Sequence, residues 1–179
     1  MRRIKLTEND LNRIVTESVK QILKETYKGD LYHFTNLEGI YGILEDDCLS
    51  VVIDADEEKE VVCLSRTGNP YLGYTPNTNY NLIFRITLDT EKMSSSIRGM
   101  KIKPWASNNP RTYKIGNEFS SASDYEERAY KSITPLHEYC KSIDVFPLHK
   151  NDRFDDRQIK ILKNLLSDFP QWRDKIKIA

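Results

Sequence analysis

Leu31-Tyr-His-Phe-Thr-Asn-Leu-Glu-Gly-Ile-Tyr-Gly-Ile-Leu44 is the stretch on which the reading of the whole chain turns. Leu31 to Phe34 is short, apolar and aromatic, which favours a buried strand. Leu37, Ile40, Tyr41 and Leu44 then recur at the spacing of one helical face. Thr35 followed by Glu38 forms a capping box that would start the helix there. His33 is expected one residue from a strand end, beside a helix N-terminus whose exposed N–H groups and dipole favour an anion such as phosphate. A hydrogen-bonded core histidine is the plainer reading of the same residue.

Around this unit the chain has 179 residues, 39% of them hydrophobic, enough for one ordinary core. Its formal net charge of +0 argues against a surface that binds nucleic acid or membrane by overall charge, so any such binding must be local. Cys48, Cys63 and Cys140 are widely spaced and form no C-x-x-C, which predicts neither a disulfide framework nor structural zinc and suits a reducing cytoplasm. No apolar run is long enough for a membrane span. Residues 1–28 read as an amphipathic helix, with Thr7 and Asp10 as a capping pair and Leu11, Ile14, Val15, Val19, Ile22 and Leu23 as a narrow stripe suited to docking on a partner.

Beyond the helix, Leu49 to Ile53, an acidic turn and Val61 to Ser65 read as a hairpin, and Arg66 is held at the end of its second strand. Tyr71, Tyr74 and Tyr80 line the following loop and could stack on a ring. Leu82 to Leu88 alternates as a half-buried strand. From residue 92 to residue 117 come Lys92, Arg98, Lys101, Lys103, Arg111 and Lys114 with no acidic residue, interleaved with Trp105 and Tyr113. Such a block suits a loop that handles phosphates or single-stranded nucleic acid, and equally a solvated loop balancing the acidic turn.

In Asp124-Tyr-Glu-Glu-Arg-Ala-Tyr130, an extended chain puts Asp124, Glu126, Arg128 and Tyr130 on one face and Tyr125, Glu127 and Ala129 on the other. An unpaired buried carboxylate is costly, so one of the two glutamates should face a polar cleft. Glu126 is the first choice because it shares a polar face with Asp124 and Arg128, with Glu127 as the alternative. Thr134 and Pro135 are expected to start a helix through Cys140, Ile143 to Leu148 to form the last strand, and Ile159 to Phe169 to form a terminal amphipathic helix.

His33, Ser65-Arg66 and Glu126-Glu127, in that order, resemble the ADP-ribosyltransferase superfamily. The Tyr-His-Phe-Thr opening looks like that of the DNA ADP-ribosyltransferase toxins and their phage relatives, and Leu64 to Tyr71 is similar to their strand ending in an arginine. The resemblance covers residues 30–148. It implies an α+β split antiparallel fold over residues 29–150, extended by the helix at 1–28 and by a helical segment at 151–179. It further implies NAD as co-substrate, no metal, and mono-ADP-ribosyl transfer to a protein or nucleic acid. His33, Arg66 and Glu126 or Glu127 would be catalytic, and His33, Thr35, Ser65, Arg66, Tyr71 and Tyr74 would hold NAD. Lys101, Lys103, Trp105 and Arg111 would meet the acceptor. Where that family carries a glycine after the first helix, this chain has Asp46-Asp47-Cys48, so an aspartate must adopt the left-handed conformation. Residues 1–28 resemble the opening of many otherwise unrelated proteins encoded by phages of gut bacteria, which implies a docking tag, a host cytoplasmic or virion-associated location, and no membrane. The competing expectations are a non-catalytic phage-associated cargo or binding protein and an RNA 2′-phosphotransferase-like enzyme.

Overall fold

The computed structural model describes residues 29–54, 59–71, 80–104, 112–115, 118–121 and 126–178. The predicted N-terminal helix, Tyr74, Trp105 and Arg111 lie outside the described residues. The chain is α+β, built on one mixed sheet with the order β10-β9-β4-β1-β3-β8-β5 and β2 added to β3. These strands are β1 (Leu31–Thr35), β2 (Val52–Asp54), β3 (Lys59–Ser65), β4 (Leu82–Leu88), β5 (Ile102–Pro104), β8 (Glu126–Ala129), β9 (Cys140–Pro147) and β10 (Ile176–Ile178). A separate hairpin pairs β6 (Thr112–Ile115) with β7 (Glu118–Ser121). The helices are α1 (Leu37–Asp46), α2 (Thr90–Ser96), α3 (Leu136–Tyr139) and α4 (Asp156–Asp168). Pairing is antiparallel except at the edge, where β10 runs parallel to β9. The all-antiparallel expectation therefore fails at the C-terminus, because residues 170–178 fold back as a 3-10 turn and a further strand.

One core unites these elements. Leu37, Ile40 and Leu44 of α1, Phe84, Ile86 and Leu88 of β4, and Leu162, Leu165 and Trp172 of the C-terminal segment all belong to it. Burying a residue of this kind contributes about 1.5–3 kcal/mol, so α4 and Trp172 support the sheet substantially. Strand β4 was expected to be half buried, yet Ile83 and Thr87 are covered as well as Phe84 and Ile86. On that second face Gly68 meets Arg85 and Tyr71 meets Phe146.

Several local readings change. Helix α1 is capped by Asn36, whose side chain accepts from Gly39 N at 2.8 Å, instead of by Thr35, which ends β1 and is buried. His33 is consequently the middle residue of β1. Asp47 does take the left-handed conformation (φ 49°), as the missing glycine requires. It then caps α3 from outside, its carboxylate accepting from His137 N at 2.7 Å. Thr134 and Pro135 were expected to do that. Instead Pro135 is the N-cap without a side-chain bond, α3 is one turn long, and β9 begins at Cys140. The basic block is not a single loop, since it starts inside α2, where Lys92 Nζ donates to Glu138 O at 2.9 Å, and continues through β5 and β6.

Candidate functional site

Three strands carry the residues singled out above, and their register sorts the side chains by face. In β1 and β4, His33 lies opposite Ile86 and Thr35 opposite Phe84, so His33 points to the core face. Tyr32 with Ser65 is the single register pair joining β1 to β3, which places His33 beside Leu64. Leu64 in turn lies opposite Glu127, and Ser65 opposite Glu126. His33 and Glu127 therefore flank Leu64 on one face, about 10 Å apart by strand spacing. Glu126 stands on the other face.

Glu127 is buried at 3% exposure, and its Oε1 sits 3.0 Å from Arg66 Nε. Burial pushes its carboxyl above the ordinary value while the Arg66 guanidinium pulls it back. Glu126 is paired instead with Arg128, at 3.2 Å. The register thus puts the two glutamates on opposite faces of the sheet. The carboxylate that shares a face with His33 and meets Arg66 is Glu127.

His33 Nδ1 lies 3.0 Å from the carbonyl oxygen of Cys63. A carbonyl only accepts, so Nδ1 carries the proton and donates. Burial lowers the His33 pKa and the Cys63 carbonyl only partly restores it, which favours the neutral ring with Nε2 as a hydrogen-bond acceptor. The ring lines a cavity of about 360 Å³ between α1, β2 and β3, walled by Gly39, Gly42, Ile43 and Val62. That volume suits a nucleoside-sized group and is too small for a whole dinucleotide. None of its lining residues is Lys or Arg, while Glu38 and Asp46 stand in its wall. Phosphate is disfavoured there, and the amide of Gly39 that a phosphate would use already donates to Asn36.

The remaining candidates disperse. The Ser65 hydroxyl accepts from Thr67 N at 3.1 Å and donates to Thr67 O at 3.2 Å, which shapes the loop after β3. Tyr71 donates to Pro147 O at 3.2 Å and meets Phe146 edge-on, so it packs on β9 away from the His33 cavity. Lys101 is exposed just before β5, where Lys103 lies opposite Arg128. Sequence reading missed Gly39 and Gly42. A side chain at Gly39 would meet Thr35 Oγ1 at 2.1 Å, whereas one at Gly42 would enter open space. Two glycines in one helix, each costing about 1 kcal/mol relative to alanine, were the available signal, of close approach at Gly39 and of an open wall at Gly42.

Among the described residues no group of three or more His, Cys, Asp or Glu side chains is placed to hold a metal. No helix there is long and apolar enough to cross a membrane. In comparisons with known proteins, no family model matches the chain and no curated protein matches its sequence.

Proposed function

We propose that the protein is an NAD-dependent mono-ADP-ribosyltransferase acting on a macromolecular acceptor. The observation that carries this reading is the buried Glu127 carboxylate, 3.0 Å from Arg66, on the face of the sheet that also bears His33. Cleavage of the bond to nicotinamide develops positive charge on the ribose, and a carboxylate held in a low-dielectric site stabilises it. Glu127 is the residue for that role. Arg66, a third exposed, can meet a phosphate while its Nε holds Glu127. Neutral His33 accepts a hydroxyl or amino hydrogen from the nucleoside part of the ligand in the adjoining cavity.

A phosphotransferase would need several arginines around the same site. Arg85 is engaged with Asp144 and Arg128 with Glu126, which favours the ADP-ribosyl reading. Incubating the purified protein with NAD labelled in its adenylate half, together with bacterial extract, tests the proposal. Label should move onto a macromolecule. Its absence, together with no NAD hydrolysis, would favour a non-catalytic binding role.

A further inference from the structure

Arg85 stands in the centre of β4 on the face opposite His33 and Glu127, directly across from Asp144 on β9 and Phe34 on β1. Its NH2 lies 3.1 Å from Asp144 Oδ2, and Ser142 Oγ supports that carboxylate at 3.0 Å. The guanidinium lies over two rings, 5.0 Å from the centroid of Phe146 and 5.5 Å from that of Tyr32. Its NH1 donates to the carbonyl of Gly68. Gly68 is two residues after Arg66, and it reaches this position because it has no side chain: a Cβ there would meet Tyr32 Cζ at 3.1 Å and Arg85 NH1 at 3.2 Å. Two tight side-chain turns enclose Arg66 and Gly68, Ser65 to Thr67 and Thr67 to Asn69. Such a segment transmits the position of Gly68 to Arg66 with little slack.

We infer that Arg85 is a positioning residue: by clamping the Gly68 carbonyl from the far side of the sheet, it fixes where the Arg66 guanidinium stands against Glu127. Its relevance to turnover rests on the transferase reading, but the geometric claim does not. A planar guanidinium can donate to a carbonyl and a carboxylate at once while stacking on aromatic rings, which lysine cannot reproduce.

Arg85→Gln in the full chain tests this, with the Glu127 carboxyl titration followed by NMR and NAD hydrolysis followed by rate. With Arg66 displaced, its lowering influence is lost and the Glu127 midpoint rises. The kcat should fall on the order of 10²-fold, as for a displacement of about 1 Å in a catalytic group. Ile143→Val, a buried sheet substitution away from the loop, should destabilise the fold and move neither reading. Arg85→Lys, which keeps the charge without the planar fork, should fall between wild type and Arg85→Gln in both readings. If wild type hydrolyses no NAD, the transferase proposal fails while the Glu127 titration still judges the clamp. Should Arg85→Gln not fold, Gly68→Ala, which pushes a methyl into Tyr32 and Arg85, takes its place. An unchanged Glu127 midpoint in a folded clamp variant overturns the inference.

Discussion

Arg66 Nε approaches Glu127 Oε1 to 3.0 Å although the Arg66 side chain is 33% exposed and that of Glu127 only 4%. A buried carboxyl thus looks outward through one arginine. Removing Arg66 leaves the charge of Glu127 uncompensated, at a cost on the order of 1–3 kcal/mol. Arg66→Ala should therefore be less stable than wild type in urea at neutral pH. The deficit should shrink in mild acid, where protonation removes the buried charge. Equal deficits at both pH values would contradict the pairing.

The same carboxyl sets a pH dependence. Its folded value is raised above the ordinary 4.5, so the folded state holds the proton more tightly than the unfolded state. Its contribution to stability is present below pH 4.5 and lost as pH rises through the folded value. His33 works in the opposite direction, being lowered from 6.5. Its contribution is present above pH 6.5 and lost as pH falls through the depressed folded value. His33→Gln should flatten the acid side of the stability profile below pH 6.5, and Glu127→Gln should gain on wild type as pH rises above 4.5. Urea unfolding across both windows measures each.

Gly42 offers a way to fill the cavity without disturbing the fold. A Cβ there meets nothing within 4 Å, and phenylalanine is a better helix former than glycine by a few tenths of a kcal/mol. Gly42→Phe should keep or raise the melting temperature while weakening NAD binding at least about tenfold, or roughly 1.4 kcal/mol. Gly39→Ala should instead destabilise, by about 1–3 kcal/mol, since its methyl overlaps Thr35. Calorimetric titration of NAD into Gly42→Phe decides whether the cavity is the ligand's seat.

The basic block bears on the acceptor. If it meets nucleic acid, binding of a single-stranded oligonucleotide should weaken steeply with salt. Lys101→Glu with Lys103→Glu should weaken it further and spare NAD binding. Failure of any oligonucleotide to bind at low salt would direct the search to a protein acceptor.

The elements around the site were legible because their patterns are local. The period of Leu37, Ile40 and Leu44 marked α1, and the alternation of Leu82, Phe84, Ile86 and Leu88 marked β4. Even the strained Asp47 followed from a glycine missing at a helix end. What sequence could not supply was pairing register. Sequence favoured Glu126 on its polar neighbours, but which glutamate faces His33 depends on how β8 is set against β3, and one residue of register exchanges their faces. The caps exchanged between Asp47 and α3, and the grip of Arg85 on Gly68, join residues far apart in sequence and leave no local pattern.

Hydrolysis of NAD by wild type, Glu127→Gln and Glu126→Gln, measured side by side on proteins of verified fold, tests the central claim most directly. Loss of a stabilising carboxylate predicts a fall on the order of 10²–10³-fold for Glu127→Gln, with Glu126→Gln close to wild type. Full activity in Glu127→Gln, or the larger loss in Glu126→Gln, would contradict the assignment of the reacting carboxylate to the face shared with His33.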